Sequence, residues 1–216
     1  MQSSITRFAD RADAGRKLAE ALSKYKGDDV VVLALPRGGV PIGLEVANYL
    51  NAPLDLVIAR KIGHPYSPEY AVAAVSEEGE VLYNEKEKRN LEPAWFETQI
   101  KEKLEEARRR RRLYLGERKP VSVEGKIAIV VDDGIATGLT LRVSLLAVKN
   151  RRPAKLVVAV PVAPLDTVAR LKKEVDDVVV VHLPDNFLGA IGAYYDDFSQ
   201  VSDEEVIAMM EGVSVG

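Results

Sequence analysis

Two adjacent carboxylates, Asp132 and Asp133, follow the apolar run Ile127-Ala128-Ile129-Val130-Val131 and precede Gly134-Ile135-Ala136-Thr137-Gly138-Leu139-Thr140. Paired acids in that place accept hydrogen bonds from neighbouring hydroxyls. The residues after them include two glycines and are mostly small or hydroxylated, so backbone N–H groups can converge on an anion where a following helix starts. This is a phosphate cradle without a lysine. A ligand with a phosphate at one end and vicinal hydroxyls nearby satisfies both halves, and ribose 5-phosphate is such a group.

Two more apolar runs end in cations. Residues 30–35 lead into Pro36-Arg37-Gly38-Gly39, where two glycines let backbone N–H groups approach a ligand and Arg37 can fork onto phosphate oxygens. Residues 54–59 lead into Arg60-Lys61, and then into Ile62-Gly63-His64-Pro65. Read alone, each could be a turn or a strand end capped by a solvated cation. Together with the acid pair they suggest one edge gathering charge around a phosphorylated ligand.

The strand, the acid pair and Ala136-Thr137-Gly138-Leu139-Thr140 resemble the phosphoribosyl-pyrophosphate signature of the type I phosphoribosyltransferases. The resemblance implies that Asp132 and Asp133 hold the ribose hydroxyls and that residues 134–140 hold the 5′-phosphate. It implies that Arg37, Gly38, Gly39, Arg60 and Lys61 take the pyrophosphate, with Mg²⁺ bound mainly through the ligand's own oxygens. The partners implied are phosphoribosyl pyrophosphate and a purine, pyrimidine or related base, with a homodimer as the default assembly. Gly134 departs from the family's usual aliphatic or serine. Ala136 replaces the aspartate of the hypoxanthine-guanine enzymes, which argues against 6-oxopurine specificity of their kind, and no general base is visible. A regulator binding the same ligand without turnover, and a doubly wound protein for another phosphate, are the alternatives on this fold.

These residues need a frame. Apolar runs at 30–35, 54–59, 127–131, 155–160 and 178–182 alternate with helical patterns, which predicts an α/β fold: an open, mostly parallel twisted sheet with helices on both faces. Helices are expected over 8–25, from Val40-Pro41 onward, over 93–115, 138–148 and 164–173, and from the Ser202/Glu205 capping box to about Met210. The expectation is a single domain over 1–216, with its core at about 28–184. Residues 62–118 form an insertion or lid, with 64–70 a loop and a hairpin around Glu77-Glu78-Gly79-Glu80. Residues 185–216 form a hood, in which Phe187, Tyr194, Tyr195 and Phe198 either stack on a base or pin the tail to the core. His64 is expected on the surface and His182 in the core or at a strand end. The run Arg108-Arg109-Arg110-Arg111-Arg112 reads as a solvated helix face paired with Glu102, Glu105 and Glu106.

Composition narrows the class. The 216 residues are 47 % hydrophobic and 29 % charged, as in ordinary globular domains. A net charge of −3 gives no general pull toward nucleic acid. No apolar run nears the ~18 residues of a membrane helix, and the first residues lack a secretory core. With no cysteine there is neither a disulfide nor a thiol nucleophile, which fits the cytoplasm.

Overall fold

The structure is a computed structural model that describes residues 7–136 and 138–213. In chain order its elements are α1 (Arg11–Ala21), β1 (Val30–Ala34), α2 (Gly39–Leu50), β2 (Leu54–Leu56), β3 (Ala59–His64), β4 (Ser67–Ser76) and β5 (Val81–Tyr83). Then come α3 (Glu85–Lys88), α4 (Pro93–Leu115), β6 (Ile127–Val131), α5 (Leu139–Asn150), β7 (Lys155–Val162), α6 (Leu165–Leu171), β8 (Asp177–His182) and α7 (Asp203–Glu211).

Five strands form the expected parallel sheet, in the order β2-β1-β6-β7-β8. Both of its faces are covered, so its strands are apolar throughout rather than alternating. Val30, Val32, Ala34, Ile129 and Val131 pack toward α1 and α2. Val31, Leu33, Ala128 and Val130 pack with Leu141, Leu145 and Val168 of α5 and α6. Helix α2 lies close on the sheet because Gly43 has no side chain. A Cβ there would stand 2.9 Å from that of Ala34 and 3.2 Å from Val131 Cγ2.

Three expectations need correction. Residues 54–59 are not one strand: β2 ends at Leu56, and Ala59 opens β3 of a second, antiparallel sheet ordered β3-β4-β5. Val57 N–H still donates to Ala34 O in the main sheet, while Ile58 O accepts from Glu77 N–H, so the chain changes sheets between them. Arg60 and Lys61 therefore lie inside an arm strand. Residues 64–70 are likewise the tip of the β3–β4 hairpin, with Pro65 and Tyr66 at the turn. Gly63 is pressed against the returning strand, where a Cβ would be 2.1 Å from Pro68 O. Finally, α1 starts only at Arg11, where the Asp10 side chain caps it by accepting from Asp13 N–H. Phe8 precedes the helix and bridges by backbone to Tyr195.

Helix α4 has the expected bounds and packs on the arm, Phe96 sharing a cluster with Ile62 and Val72. The capping box at Ser202 and Glu205 opens α7. The C-terminal stretch divides in two. Residues 190–199 run beside the start of α1 and the loop after β6, whereas α7 packs against α2 and α4. Among the described residues no helix is long and apolar enough to cross a membrane.

Candidate functional site

From β1 the chain moves outward to β2 on one side, and from β6 it moves through β7 to β8 on the other. The carboxyl ends of β1 and β6 thus flank the point where strand order reverses, which is where open α/β sheets form a ligand crevice. Both sequence motifs end there. Leu35 N–H donates to Val131 O at 3.0 Å, joining the segment that carries Arg37-Gly38-Gly39 to the one that carries the acid pair. Gly38 and Gly39 fit directly against those acids: a Cβ on Gly38 would be 1.9 Å from Asp133 Oδ2, and one on Gly39 would be 3.1 Å from Asp132 Cα. Any side chain at either position would displace them.

The carboxylates are held by their neighbours. Asp132 Oδ1 accepts from the Asp133 N–H at 2.8 Å. Asp133 Oδ2 accepts from Arg11 Nε at 2.9 Å, and Tyr195 OH donates to Asp133 O at 2.7 Å. Arg11 is itself fixed: it donates to Ser199 O at 2.7 Å and lies 4.0 Å from the Phe198 ring centroid. Burial, and then the charge of Asp133, raise the Asp132 carboxyl well above the usual range. Burial also raises Asp133, against the opposing pull of Arg11. Its side chain is 16 % exposed, so a ligand can reach it. Arg11 escapes a sequence reading because it is 122 residues from its partner.

Beyond the acids, Gly134 has φ +155° and packs against Ile191, while Ile135 is buried and its N–H donates to Val162 O. Ala136 is exposed, and Gly138, at φ +79°, is the left-handed N-cap of α5. No side chain caps that helix start among the described residues, so the N–H groups of its first turn, which holds Leu139 and Thr140, face outward unpaired by side chains. Thr137 lies outside the described residues. Next to this turn a cleft of about 660 Å³ opens under the arm, lined by Lys61, Tyr70, Tyr83, Thr140, Arg142 and Arg170 among others.

The three cations expected around pyrophosphate each meet a carboxylate of another segment. Arg37 NH1 is 3.7 Å from Asp203 of α7. Arg60 pairs with Glu106 of α4, while Lys61, its neighbour on the opposite face of β3, pairs with Glu69 at 2.7 Å. In the aromatic group, Tyr194 and Tyr195 do not offer a free face to a base. They are 1 % and 2 % exposed, because Phe8, Phe187 and Phe198 pack on them. Those two tyrosines pin the tail. His182 packs at a tilt against Tyr194 in the same wall, and His64 sits near Tyr66 at the hairpin tip.

The arginine run of α4 is not a uniformly solvated face. Arg111 is 13 % exposed and reaches off its helix to Asp55 of β2, at 3.1 and 3.2 Å, and to Glu77 at 3.2 Å. Arg108 donates to Glu77 O. Among the pairs expected on the helix itself, Arg110 lies 4.0 Å from Glu106.

The sequence pattern of the phosphoribosyl transferase domain matches residues 1–197. A Mycobacterium tuberculosis protein with a provisional phosphoribosyl transferase name is 42 % identical over 206 residues, in both the CDC 1551 / Oshkosh and the H37Rv strains. The match covers 94 % of this chain and 46 % of that protein, so the chain spans about half the length of these relatives. The crystal structure of TT1426 from Thermus thermophilus is 41 % identical, with a TM-score of 0.80 over 94 % of this chain and 97 % of that one.

Proposed function

The chain belongs to the phosphoribosyl transferase domain family, and from that premise we propose that it transfers a 5-phosphoribosyl group from phosphoribosyl pyrophosphate to a nitrogenous base. The observation that carries this reading is the acid pair set against Gly38 and Gly39 at the point where strand order reverses. The ribose hydroxyls donate to Asp132 and Asp133, whose burial makes two new donors especially favourable. The 5′-phosphate rests on the uncapped start of α5 and the loop before it.

In the reaction a base nitrogen bonds to C1 of the ribose while the C1–O bond to pyrophosphate breaks. The bonding pair leaves with pyrophosphate, and the base sheds its proton to solvent or to the departing diphosphate. Positive charge builds on the sugar as in glycoside cleavage, and negative charge grows on the leaving group. Asp132 and Asp133 are hard oxygen donors that would hold Mg²⁺ only loosely beside the ligand, and the ion would supply neutralisation of the charge growing on the leaving group. The cleft under the arm is the space for the acceptor, and Ala136 leaves the phosphate loop without a carboxylate to face a 6-oxopurine.

Calorimetric titration of phosphoribosyl pyrophosphate with Mg²⁺ into wild type and Asp133→Asn tests the reading, followed by a base panel scored for pyrophosphate release. Binding at least about tenfold weaker in the variant, with release for one class of base, is expected. No binding to folded wild type, or equal binding to the variant, overturns it. Binding without release for any base would instead make the protein a non-catalytic sensor of the same ligand.

A further inference from the structure

We propose that one face of α4 completes the diphosphate subsite, with Glu106 and Asp203 holding its cations in place until diphosphate oxygens replace those carboxylates; this rests on the reading above. Lys103, Glu106, Arg110 and Tyr114 follow one another at spacings of three and four residues and so form a single stripe on the helix. The stripe meets Arg60 from the arm and Arg37 from the loop after β1.

Three cations share one carboxylate. Glu106 lies 2.5 Å from Arg60, 2.9 Å from Lys103 and 4.0 Å from Arg110. Beside it Asp203 accepts from Tyr114 OH at 2.5 Å and lies 3.7 Å from Arg37. Arg110 and Tyr114 stand one turn apart on the stripe, and Tyr114 shares Asp203 with Arg37, so the two groups form one cluster. Its sum is four cations against two carboxylates. Donors also outnumber acceptors: Arg60 Nε is buried with no hydrogen-bond partner among the described residues. Such a site lacks anionic oxygens, and a diphosphate supplies several at the spacing of adjacent guanidinium groups. Each cation is 26–31 % exposed, within reach of a ligand yet partly shielded.

The exchange explains why Arg37 and Arg60 point toward α7 and α4. They face the cations and placeholders with which they would share the leaving group. It also divides the arginine run: Arg111 and Arg108 fasten the arm, Arg110 joins the subsite, and Arg109 is exposed off the stripe.

The test is calorimetry with two probes, inorganic pyrophosphate plus Mg²⁺ and ribose 5-phosphate, on wild type and on Arg110→Ala, Lys103→Ala, Glu106→Gln and Arg109→Ala. Pyrophosphate affinity is expected to fall about tenfold in the first two and to rise severalfold in Glu106→Gln, because a charge-assisted contact is lost or a competing carboxylate removed. Ribose 5-phosphate affinity should stay unchanged in these variants, and Arg109→Ala should match wild type with both probes. Wild-type pyrophosphate affinity in both Arg110→Ala and Lys103→Ala, or no pyrophosphate binding by wild type, overturns the proposal. The two readings fail separately. Full-strength phosphoribosyl pyrophosphate binding in both variants removes this subsite alone, whereas pyrophosphate binding through Arg110 in a protein that ignores phosphoribosyl pyrophosphate removes the transferase and leaves the subsite.

Discussion

Every residue of β1 is buried, and β6 beside it and β7 beyond are buried from their second residue onward, whereas β3 and the first half of β4 stay largely in contact with solvent. The main sheet holds its site residues by burial and by glycine contacts that leave no slack at Gly38 and Gly39. The arm is fastened differently. Besides its packing against α5 and one small cluster around Ile62, Val72 and Phe96, it carries the pairs of Arg111 with Asp55 and Glu77, of Arg60 with Glu106 and of Arg151 with Glu78. Groups set by burial keep one geometry, while groups set by ion pairs can change partners. In the proposed reaction the first would suit the unchanging ribose phosphate, and the second a leaving group that must depart.

The largest effect is expected at Arg111. Its removal would leave Asp55 and Glu77, which are 2 % and 7 % exposed, as buried carboxylates without their cation. Arg111→Ala should cost about 3–5 kcal/mol in chemical denaturation. Hydrogen exchange should quicken first in β4, and the amides of β1 should keep their order of protection. A loss below about 1 kcal/mol with β4 amides unchanged would show that apolar packing, not charge, fastens the arm.

A smaller effect should appear where the main sheet uses a charge of its own. Arg11→Leu removes the cation that opposes burial at Asp133, so the Asp133 carboxyl should rise further above its usual range. Ribose 5-phosphate binding should weaken about tenfold at neutral pH, and its loss on acidification should begin at a higher pH than in wild type. A binding profile that keeps both its strength and its pH midpoint would place Arg11 among structural residues only.

Legibility in the sequence follows the same division. Strands such as Val30–Ala34 and Ile127–Val131 announce themselves because burial on both faces demands unbroken apolar residues, and the Ser202 and Glu205 box is local chemistry. The acid pair and the glycines were readable because a short segment carries each motif. The change of sheets after Leu56 was not, since residues 54–59 are apolar except Asp55. The one sign was that buried acid, whose partner lies 56 residues away. Arg11 and the stripe on α4 were hidden for the same reason, and burial of Tyr194 and Tyr195 depends on Phe8 from the far end of the chain. Pairings set by tertiary contact leave no local spacing to find.

The smallest effect separates a charge that stabilises from one kept for binding. The Asp132 carboxyl is raised well above its ordinary value of 3.8 in the folded protein. A raised group contributes stability below its unfolded pKa and loses that contribution as pH rises through the folded one. At neutral pH the wild type therefore carries the cost either of burying that charge beside a second carboxylate or of taking up a proton on folding. An asparagine in its place would keep the acceptor for the Asp133 N–H without that charge. Asp132→Asn should thus lose ribose 5-phosphate binding yet gain about 1 kcal/mol at pH 7, a rise of about 2–4 °C in Tm. The advantage should shrink as pH falls and vanish near the ordinary carboxylate range, where both forms are neutral at this position. Thermal melts from mildly acidic to mildly alkaline pH check the sign. A less stable variant at neutral pH would mean that Asp132, like Asp55 in the arm's lock, is held by partners that outweigh its burial, and the contrast between the two regions would fail at its most exacting point.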